Sequence, residues 1–263
     1  MGIKEDFLSK GFIMPEQTLP ELLINRMKDI SDEVILNRPL QTKSKSKFNL
    51  HLRLPLSINE NIFLRLATHP IIIGHLKKII GENILLWHSH VYIKDQDARD
   101  EVKWHQDSFY FPLNPKEAVT VWINLSDNDN DNGSMIFIPK YQHQEYPHIA
   151  VEEGIAFKYY IDEKEIDSSQ QVLNVRSKGQ FSIHDIKTVH RSKPITDNFK
   201  RNTIIFRYMP SHVFYNEDDH KKRLIEEFNK SNINLSESEI FTGCILVSGK
   251  NLNEKNNILA TIN

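Results

Sequence analysis

The chain has 263 residues, 39% of them hydrophobic and 26% charged, the make-up of a globular protein long enough to bury a real core. A formal net charge of −2 supplies no basic field for nucleic acid, and one cysteine, Cys244, excludes a disulfide framework and any cysteine-rich zinc or iron–sulfur site. No apolar run approaches the roughly 18 residues of a membrane span, the MGIKEDF start lacks a secretory apolar region, and Asp6 stands where a myristoylation signal wants Ser or Thr, so a single cytoplasmic domain is expected.

Residues 1–85 read as mainly helical. From Pro15 to Leu36 the apolar positions Leu19, Leu22, Leu23, Met27, Ile30, Val34 and Ile35 keep the three-and-four spacing of an amphipathic helix, stopped by Asn37-Arg38-Pro39. Thr42–Lys47 (TKSKSK) reads as an exposed loop. Helices are predicted over Asn59–Ala67 and Pro70–Ile80, the second closed by Gly81 as a C-cap. From Asn83 the period changes. Leu85–Lys94 is rich in β-formers and puts His88, His90, Tyr92 and Lys94 on one face. A strand carrying His105 follows, then Ala118–Leu125, then the Asp/Asn run 127–133. A calcium loop started at Asn128 would place Pro139 where the twelfth-position Glu belongs, so Asn132-Gly133 is read as a hairpin turn into the strand Ser134–Pro139. Residues 140–175 are polar and irregular, and a long insertion of this kind is a candidate lid. Short strands are predicted over Gly179–Ile183, Thr188–Arg191 and Asn202–Met209, a charged helix over Asn216–Asn229, and a strand over Ile240–Val247.

The chemistry concentrates in Trp104-His105-Gln106-Asp107. On a strand, side chains two apart share a face, so the imidazole of His105 and the carboxylate of Asp107 project together. They are two of the three ligands of a two-histidine, one-carboxylate site, which holds Fe(II) and leaves positions open. In a chain with 12 histidines an H-x-D triplet also arises by chance, so the rest of the site matters. The pair His88-x-His90 rivals His105 at this stage. A second histidine from a distant strand is offered by His190. Ser192 adds a hydroxyl, and Arg201 opens the next strand with a planar fork suited to a carboxylate. Arg207 has strand parity with Arg201 and faces the same cavity or a structural salt bridge.

The motifs WHQDSFYFP, NGSMIFIP and GQFSIHDIKTVHRS, followed by Arg201, occur in the order seen in the phytanoyl-CoA dioxygenase family of Fe(II)/2-oxoglutarate oxygenases, which the chain resembles over roughly residues 70–215. The resemblance implies a mainly β fold with α: a double-stranded β-helix (jelly-roll, cupin-like) core over 86–210 with the 140–175 insertion, helices of 1–85 packed outside, and a C-terminal helix and tail over 211–263. It implies His105, Asp107 and His190 as catalytic iron ligands. Arg201 binds 2-oxoglutarate with Ser192 assisting, Lys94 contacts it, and Trp122 lies beside it; the bland readings are a surface lysine at a strand end and a plain core tryptophan. Fe(II), 2-oxoglutarate and O2 are then the cofactors. His184 becomes a supporting or structural residue, His88 and His90 structural or cavity-lining, and His143, His148 and His220 surface residues. The KYYIDEKEID and RYMPSHV segments resemble the family's iron halogenases, which have Ala or Gly where Asp107 stands. Retention of Asp107 predicts oxygen transfer rather than chlorination.

The implied reaction is hydroxylation of an unactivated C–H of a small molecule, an amino acid or natural-product intermediate, free or tethered to a carrier protein, with release of succinate and CO2. An acyl-CoA or lipid-like substrate is the alternative. Two readings from other classes compete: a non-catalytic metal- or ligand-binding β-barrel, and a cupin-like hydrolase or isomerase. Neither needs Arg201.

Overall fold

The computed structural model describes residues 2–36, 45–95, 101–128, 133–150, 159–195, 200–230 and 240–262. In chain order these form α1 (Ile3–Lys10), β1 (Phe12–Ile13), α2 (Glu21–Leu36), β2 (Lys45–Phe48), α3 (Ile62–Ala67), α4 (Pro70–Ile80) and β3 (Ile84–Lys94). There follow β4 (Val102–His105), β5 (Leu113–Asn114), β6 (Val119–Asn124), β7 (Met135–Phe137), β8 (Ile149–Ala150), β9 (Tyr159–Tyr160) and β10 (Val172–Leu173). The chain continues through β11 (Phe181–Asp185), β12 (His190–Ser192), β13 (Arg201–Pro210), β14 (Phe214–Tyr215), α5 (Glu217–Lys230), β15 (Cys244–Ser248) and β16 (Ile258–Thr261).

Contacts divide the chain into two compact units: Met1–Lys47, Val91–Tyr110 and Val119–Ile205 make the first, and Phe48–His90, Phe111–Ala118 and Phe206–Asn263 the second. The first holds two sheets, in the orders β1-β11-β6-β13-β3 and β10-β7-β12-β4. Pairing is antiparallel where β1 meets β11, β11 meets β6, and β12 lies between β7 and β4. Side chains from both sheets meet in one apolar cluster, with Phe12, Tyr92, Trp122 and Ile205 from the larger sheet and Met135 and Phe137 from the smaller. That is the interior of a β-sandwich, reached by period-two alternation. The opposite parity of the smaller sheet, Trp104, Ile136 and Val189, packs outward against Ile138, Ile161 and Ile166. Each such side chain is worth about 1.5–3 kcal/mol on burial.

The described part of the predicted lid therefore has a structural job. Tyr141, Tyr146, Ile161 and Ile166 cover the outer face of the smaller sheet. Ile161 N–H donates to the Trp104 carbonyl at 2.7 Å. Residues 151–158 of that insertion lie outside the described residues, as do 42–44 of the TKSKSK stretch. Lys45–Lys47 belongs to β2 rather than to a loop. Asn132 of the predicted hairpin is also outside the described residues, while Gly133 has φ +73°, and a Cβ there would meet the Lys193 carbonyl at 2.8 Å. Only glycine fits that turn.

The second unit carries α3, α4 and α5. α4 runs where predicted, with Pro70 at its start and Gly81 past its end, and it buries Ile72, His75, Leu76 and Ile79 on one stripe. α3 starts late, at Ile62, because the Asn61 side chain caps it by accepting the Leu64 N–H at 3.2 Å. β15 pairs antiparallel with β3 and parallel with β16. The Tyr208 hydroxyl donates to the Ala67 carbonyl at 2.7 Å, tying β13 to α3.

Other expectations need correction. α2 begins at Glu21 instead of Pro15, because Leu19 N–H bonds the Gly179 carbonyl at 2.9 Å and Thr18 bridges Gln180 in extended form. Its buried face is Ile24, Met27 and Ser31, and Leu22, expected inward, is 83% exposed. The two-residue strands β1, β5 and β14 were too short for any periodicity to reveal. Among the described residues no helix is long and apolar enough to cross a membrane.

Candidate active site

β4 ends at His105, and Asp107 opens a 3-10 turn, Asp107–Phe109, with Gln106 between them in extended form. The sequence reading put both ligands on one strand. The structure keeps their juxtaposition by another route, bending the chain at the strand end. β12 then sets His190 opposite His105 in register. The ring centroids of the two histidines are 4.1 Å apart, and His105 Nε2 is 3.9 Å from Asp107 Oδ1. One ligand atom from each of His105, Asp107 and His190 lies within 4.8 Å of the others, and all three residues are buried. Among the described residues this is the one such cluster of His, Cys, Asp and Glu.

The surroundings prepare these atoms. His105 Nδ1 donates to the Lys103 carbonyl at 2.9 Å, and His190 Nδ1 to the Thr188 carbonyl at 2.8 Å. Each bond holds the proton on Nδ1 and leaves the Nε2 lone pair for a metal. The Thr120 hydroxyl donates to Asp107 Oδ2 at 3.1 Å. Thr188 is itself anchored, its hydroxyl donating to the Gly11 carbonyl at 2.7 Å. Gly11 must be glycine: its φ is +85°, and a Cβ would lie 2.7 Å from Thr188 Oγ1.

Gln106, between the two ligands, is fully buried and uses its whole amide. Nε2 donates to the carbonyls of Gln144 and Lys187 at 2.8 and 2.6 Å, and Oε1 accepts the Tyr146 N–H at 2.9 Å. Its own N–H donates to His148 Nε2 at 3.1 Å, and the His148 ring stacks on Phe109 at 4.3 Å. His148, expected on the surface, is therefore a half-buried packing residue.

Arg201 is wholly buried, and its Nε, Nη1 and Nη2 have no hydrogen-bond partner among the described residues. Its guanidinium lies 5.2 Å from the Trp122 ring centroid and 5.8 Å from that of Tyr92. Burial pulls it down to about 10, still charged at neutral pH. A buried guanidinium whose three nitrogens lack partners among the described residues has the donors and charge to hold an anion. Lys94 is fully buried, not a surface lysine, and its Nζ donates to Ser192 Oγ at 2.9 Å and to the Lys193 carbonyl at 2.7 Å. Trp122 joins the apolar interior and has a buried Nε1 with no partner among the described residues. His184 packs against His190 with ring centroids 4.9 Å apart. All these residues belong to the first unit.

Arg207, His88 and His90 fall in the second unit, with His220, which is buried and not on the surface as expected. His143 is exposed, as expected. Thr120, Gln106 and Thr188 escaped the sequence reading, since nothing in a lone Thr or Gln marks its partner.

Comparison with known proteins decides the family. The family model of phytanoyl-CoA dioxygenase (PhyH) matches residues 8–203. The chain belongs to this family. Among curated proteins it is 28% identical over 142 residues, 52% of this chain and 49% of the other, to a probable alpha-ketoglutarate-dependent hypophosphite dioxygenase of Stutzerimonas stutzeri. The chain thus spans about half the length of that relative. Among solved structures, the apo non-heme monooxygenase ThoJ is similar at TM-score 0.71 and 20% identity, with 98% of this chain and 87% of that one covered. The epimerase SnoN, solved with Fe3+, alpha ketoglutarate and nogalamycin RO, is similar at TM-score 0.64 and 18% identity over 81% and 84% of the two chains. EctD from S. alaskensis follows at TM-score 0.63 and 15% identity, over 79% and 76%. At these identities the structural likeness speaks to the fold, the mainly β, double-stranded β-helix expected from the sequence of this PhyH-family chain.

Proposed function

We propose that this PhyH-family chain is an Fe(II)- and 2-oxoglutarate-dependent dioxygenase that hydroxylates a C–H bond of a small molecule. The observation that carries this reading is Arg201. A metal triad alone would also suit a cupin-like hydrolase or isomerase, but that chemistry has no use for a fully buried guanidinium whose three nitrogens lack partners among the described residues. A dicarboxylic keto acid does.

The residues fit the cofactors. His105 and His190 would bind iron through Nε2, their tautomers held by the Lys103 and Thr188 carbonyls, with Asp107 as the third ligand, its other oxygen held by Thr120. With iron bound, O2 and 2-oxoglutarate supply the oxidising power, and succinate and CO2 leave. Arg201 grips the far carboxylate of the cosubstrate, since its fork matches that geometry bidentately. Ser192 and Lys94 act as one hydrogen-bonded pair that adds donors to the same acid, and Trp122 supplies an apolar wall. Burial of every member excludes water from the charged contacts, which strengthens them. Asp107 stands at the position that is Ala or Gly in the family's iron halogenases, which two segments of this chain resemble, and its carboxylate favours oxygen transfer. The KYYIDEKEID and RYMPSHV segments support a substrate of the amino-acid or natural-product kind, free or carrier-tethered.

The test is anaerobic. Fe(II) and then 2-oxoglutarate are added to the purified protein, and the visible charge-transfer band of a chelated keto acid is sought, with His190→Ala as the control. A band that the variant lacks is the expected result. A folded, iron-loaded protein that shows no band overturns the proposal.

A further inference from the structure

Three consecutive carbonyls of the turn that joins β11 to β12 each accept a hydrogen bond from a metal-ligand candidate or its neighbour. Ile186 accepts the Ser108 N–H at 2.8 Å, Lys187 accepts Gln106 Nε2 at 2.6 Å, and Thr188 accepts His190 Nδ1 at 2.8 Å. Gln106 and Ser108 flank Asp107, and Gln106 directly follows His105. The turn is itself braced. Lys187 N–H donates to Asp185 Oδ1 at 2.8 Å, Thr188 N–H to the Asp185 carbonyl at 2.9 Å, and Asp185 N–H to the Gly11 carbonyl at 2.9 Å. Consecutive residues of a trans chain stand about 3.8 Å apart, and their peptide planes give little. Three adjacent carbonyls therefore hold their partners at a spacing that the backbone of the turn fixes.

Of these three links, the one from Gln106 is made by a side chain that is not a ligand. Its amide is wholly buried, and its Nε2 and Oε1 also bond the Gln144 carbonyl at 2.8 Å and the Tyr146 N–H at 2.9 Å. That set of partners needs two donors and an acceptor at the end of a chain of this length, which is what a glutamine amide supplies. Glutamate has no donor, methionine has neither group, and asparagine is one methylene short. Away from water, a bond lost here leaves a buried carbonyl or N–H unpaired, and the backbone that carries it is driven to move.

We propose that Gln106 is a positioning residue of the metal site: its bond to the Lys187 carbonyl fixes the His105–Asp107 arm against the His190 arm and so sets the separation of the three ligand atoms. The inference rests on the metal triad of the proposed function and not on its cosubstrate or its reaction. Gln106 acts through the backbone on either side of it, as supporting hydrogen bonds around metal ligands commonly do. Its remaining bonds fasten Gln144–Tyr146 to the same point, so the segment that brings Tyr146 over the smaller sheet is anchored between two metal ligands.

The probe is Co(II), titrated into the full-length chain and followed by its visible ligand-field bands, with His190→Ala to show that the bands report the triad. Gln106→Met keeps the length of the side chain and removes its three bonds. The matched control is Asn61, a buried amide of the second unit whose Nδ2 donates to the His51 and Pro55 carbonyls at 2.7 and 3.2 Å and whose Oδ1 accepts the Leu64 N–H at 3.2 Å. Both Gln106→Met and Asn61→Leu should melt below wild type in the absence of metal. Co(II) affinity should fall about tenfold or more in Gln106→Met and stay unchanged in Asn61→Leu. A merely structural amide would lower Tm in both and leave the affinity of the folded protein alone. If Gln106→Met does not fold, Gln106→Asn carries the same comparison. Wild-type affinity in the Gln106 variant, an equal loss in Asn61→Leu, or bands that survive His190→Ala would each overturn the inference. Loss of Co(II) affinity in Gln106→Met, with no 2-oxoglutarate band in the Fe(II)-loaded wild type, would support it while overturning the function proposed above.

Discussion

Arg201→Met should make the metal-free protein more stable while removing its response to 2-oxoglutarate. The guanidinium is fully buried, and burial lowers it to about 10. At about 1.4 kcal/mol per pH unit, that displacement from an ordinary value above ~12 sets roughly 3 kcal/mol against keeping it charged. The penalty is complete at neutral pH and fades only as pH rises past the folded-state value. Stacking over Trp122 and Tyr92 returns about 1–2 kcal/mol. Methionine fills much of the same volume without a charge, and exchanging buried ions for apolar side chains commonly gains about 1–4 kcal/mol. A net gain of about 1–2 kcal/mol follows, which raises Tm by about 2–8 °C at this size. With Mn(II) as a redox-silent stand-in and 2-oxoglutarate at about a hundred times its Kd, wild type should gain about 2.7 kcal/mol and the variant nothing. Thermal and denaturant melts with and without the two ligands read both effects. A variant less stable than wild type by more than about 1 kcal/mol would mean that the guanidinium is paired in the apo protein. A variant that 2-oxoglutarate still stabilises as it does wild type would remove Arg201 from the cosubstrate site.

Thr120→Val keeps the shape of residue 120 and deletes the hydroxyl that bonds Asp107 Oδ2. Fe(II) or Co(II) affinity, measured by anaerobic titration, should fall about tenfold or more; an unchanged affinity would make that bond irrelevant to the metal. Asp107→Ala should abolish succinate release and weaken metal binding while leaving the fold intact by circular dichroism, and turnover equal to wild type would exclude Asp107 from the site. Burial pushes His51 down to about 3 and His220 down to about 4. As pH falls from about 6.5 toward 4 the unfolded chain takes up protons that these native histidines refuse, so stability must fall across that window. His51→Gln should flatten the slope by up to about 1.4 kcal/mol per pH unit; an identical slope in the variant would show that His51 titrates alike in both states.

The grouping of His105, Asp107 and His190 was legible because a metal site demands those side-chain types and the strand series brings them round in a set order. The α4 helix was legible because Pro70, the apolar stripe and Gly81 are all local signals. The start of α2 was not, because the extended run before Glu21 is held by hydrogen bonds to Gly179 and Gln180, far along the chain. Polar neighbours in sequence make His148 and His220 look like surface residues but say nothing of neighbours in space. His148 packs on Phe109, and His220 meets Tyr215 and His88.

Residue order alone carries the chemical inventory of two histidines, one carboxylate and one arginine. The states those groups hold are set by the fold. The tautomers of His105 and His190 depend on the Lys103 and Thr188 carbonyls, and the orientation of Asp107 on Thr120, brought up by a different strand. Arg201 lies fully buried beside Trp122 and Tyr92, on strands far apart in the chain. Local sequence controls backbone periodicity and residue type. Protonation, desolvation and hydrogen-bond partners are set by whatever the fold places within a few ångströms.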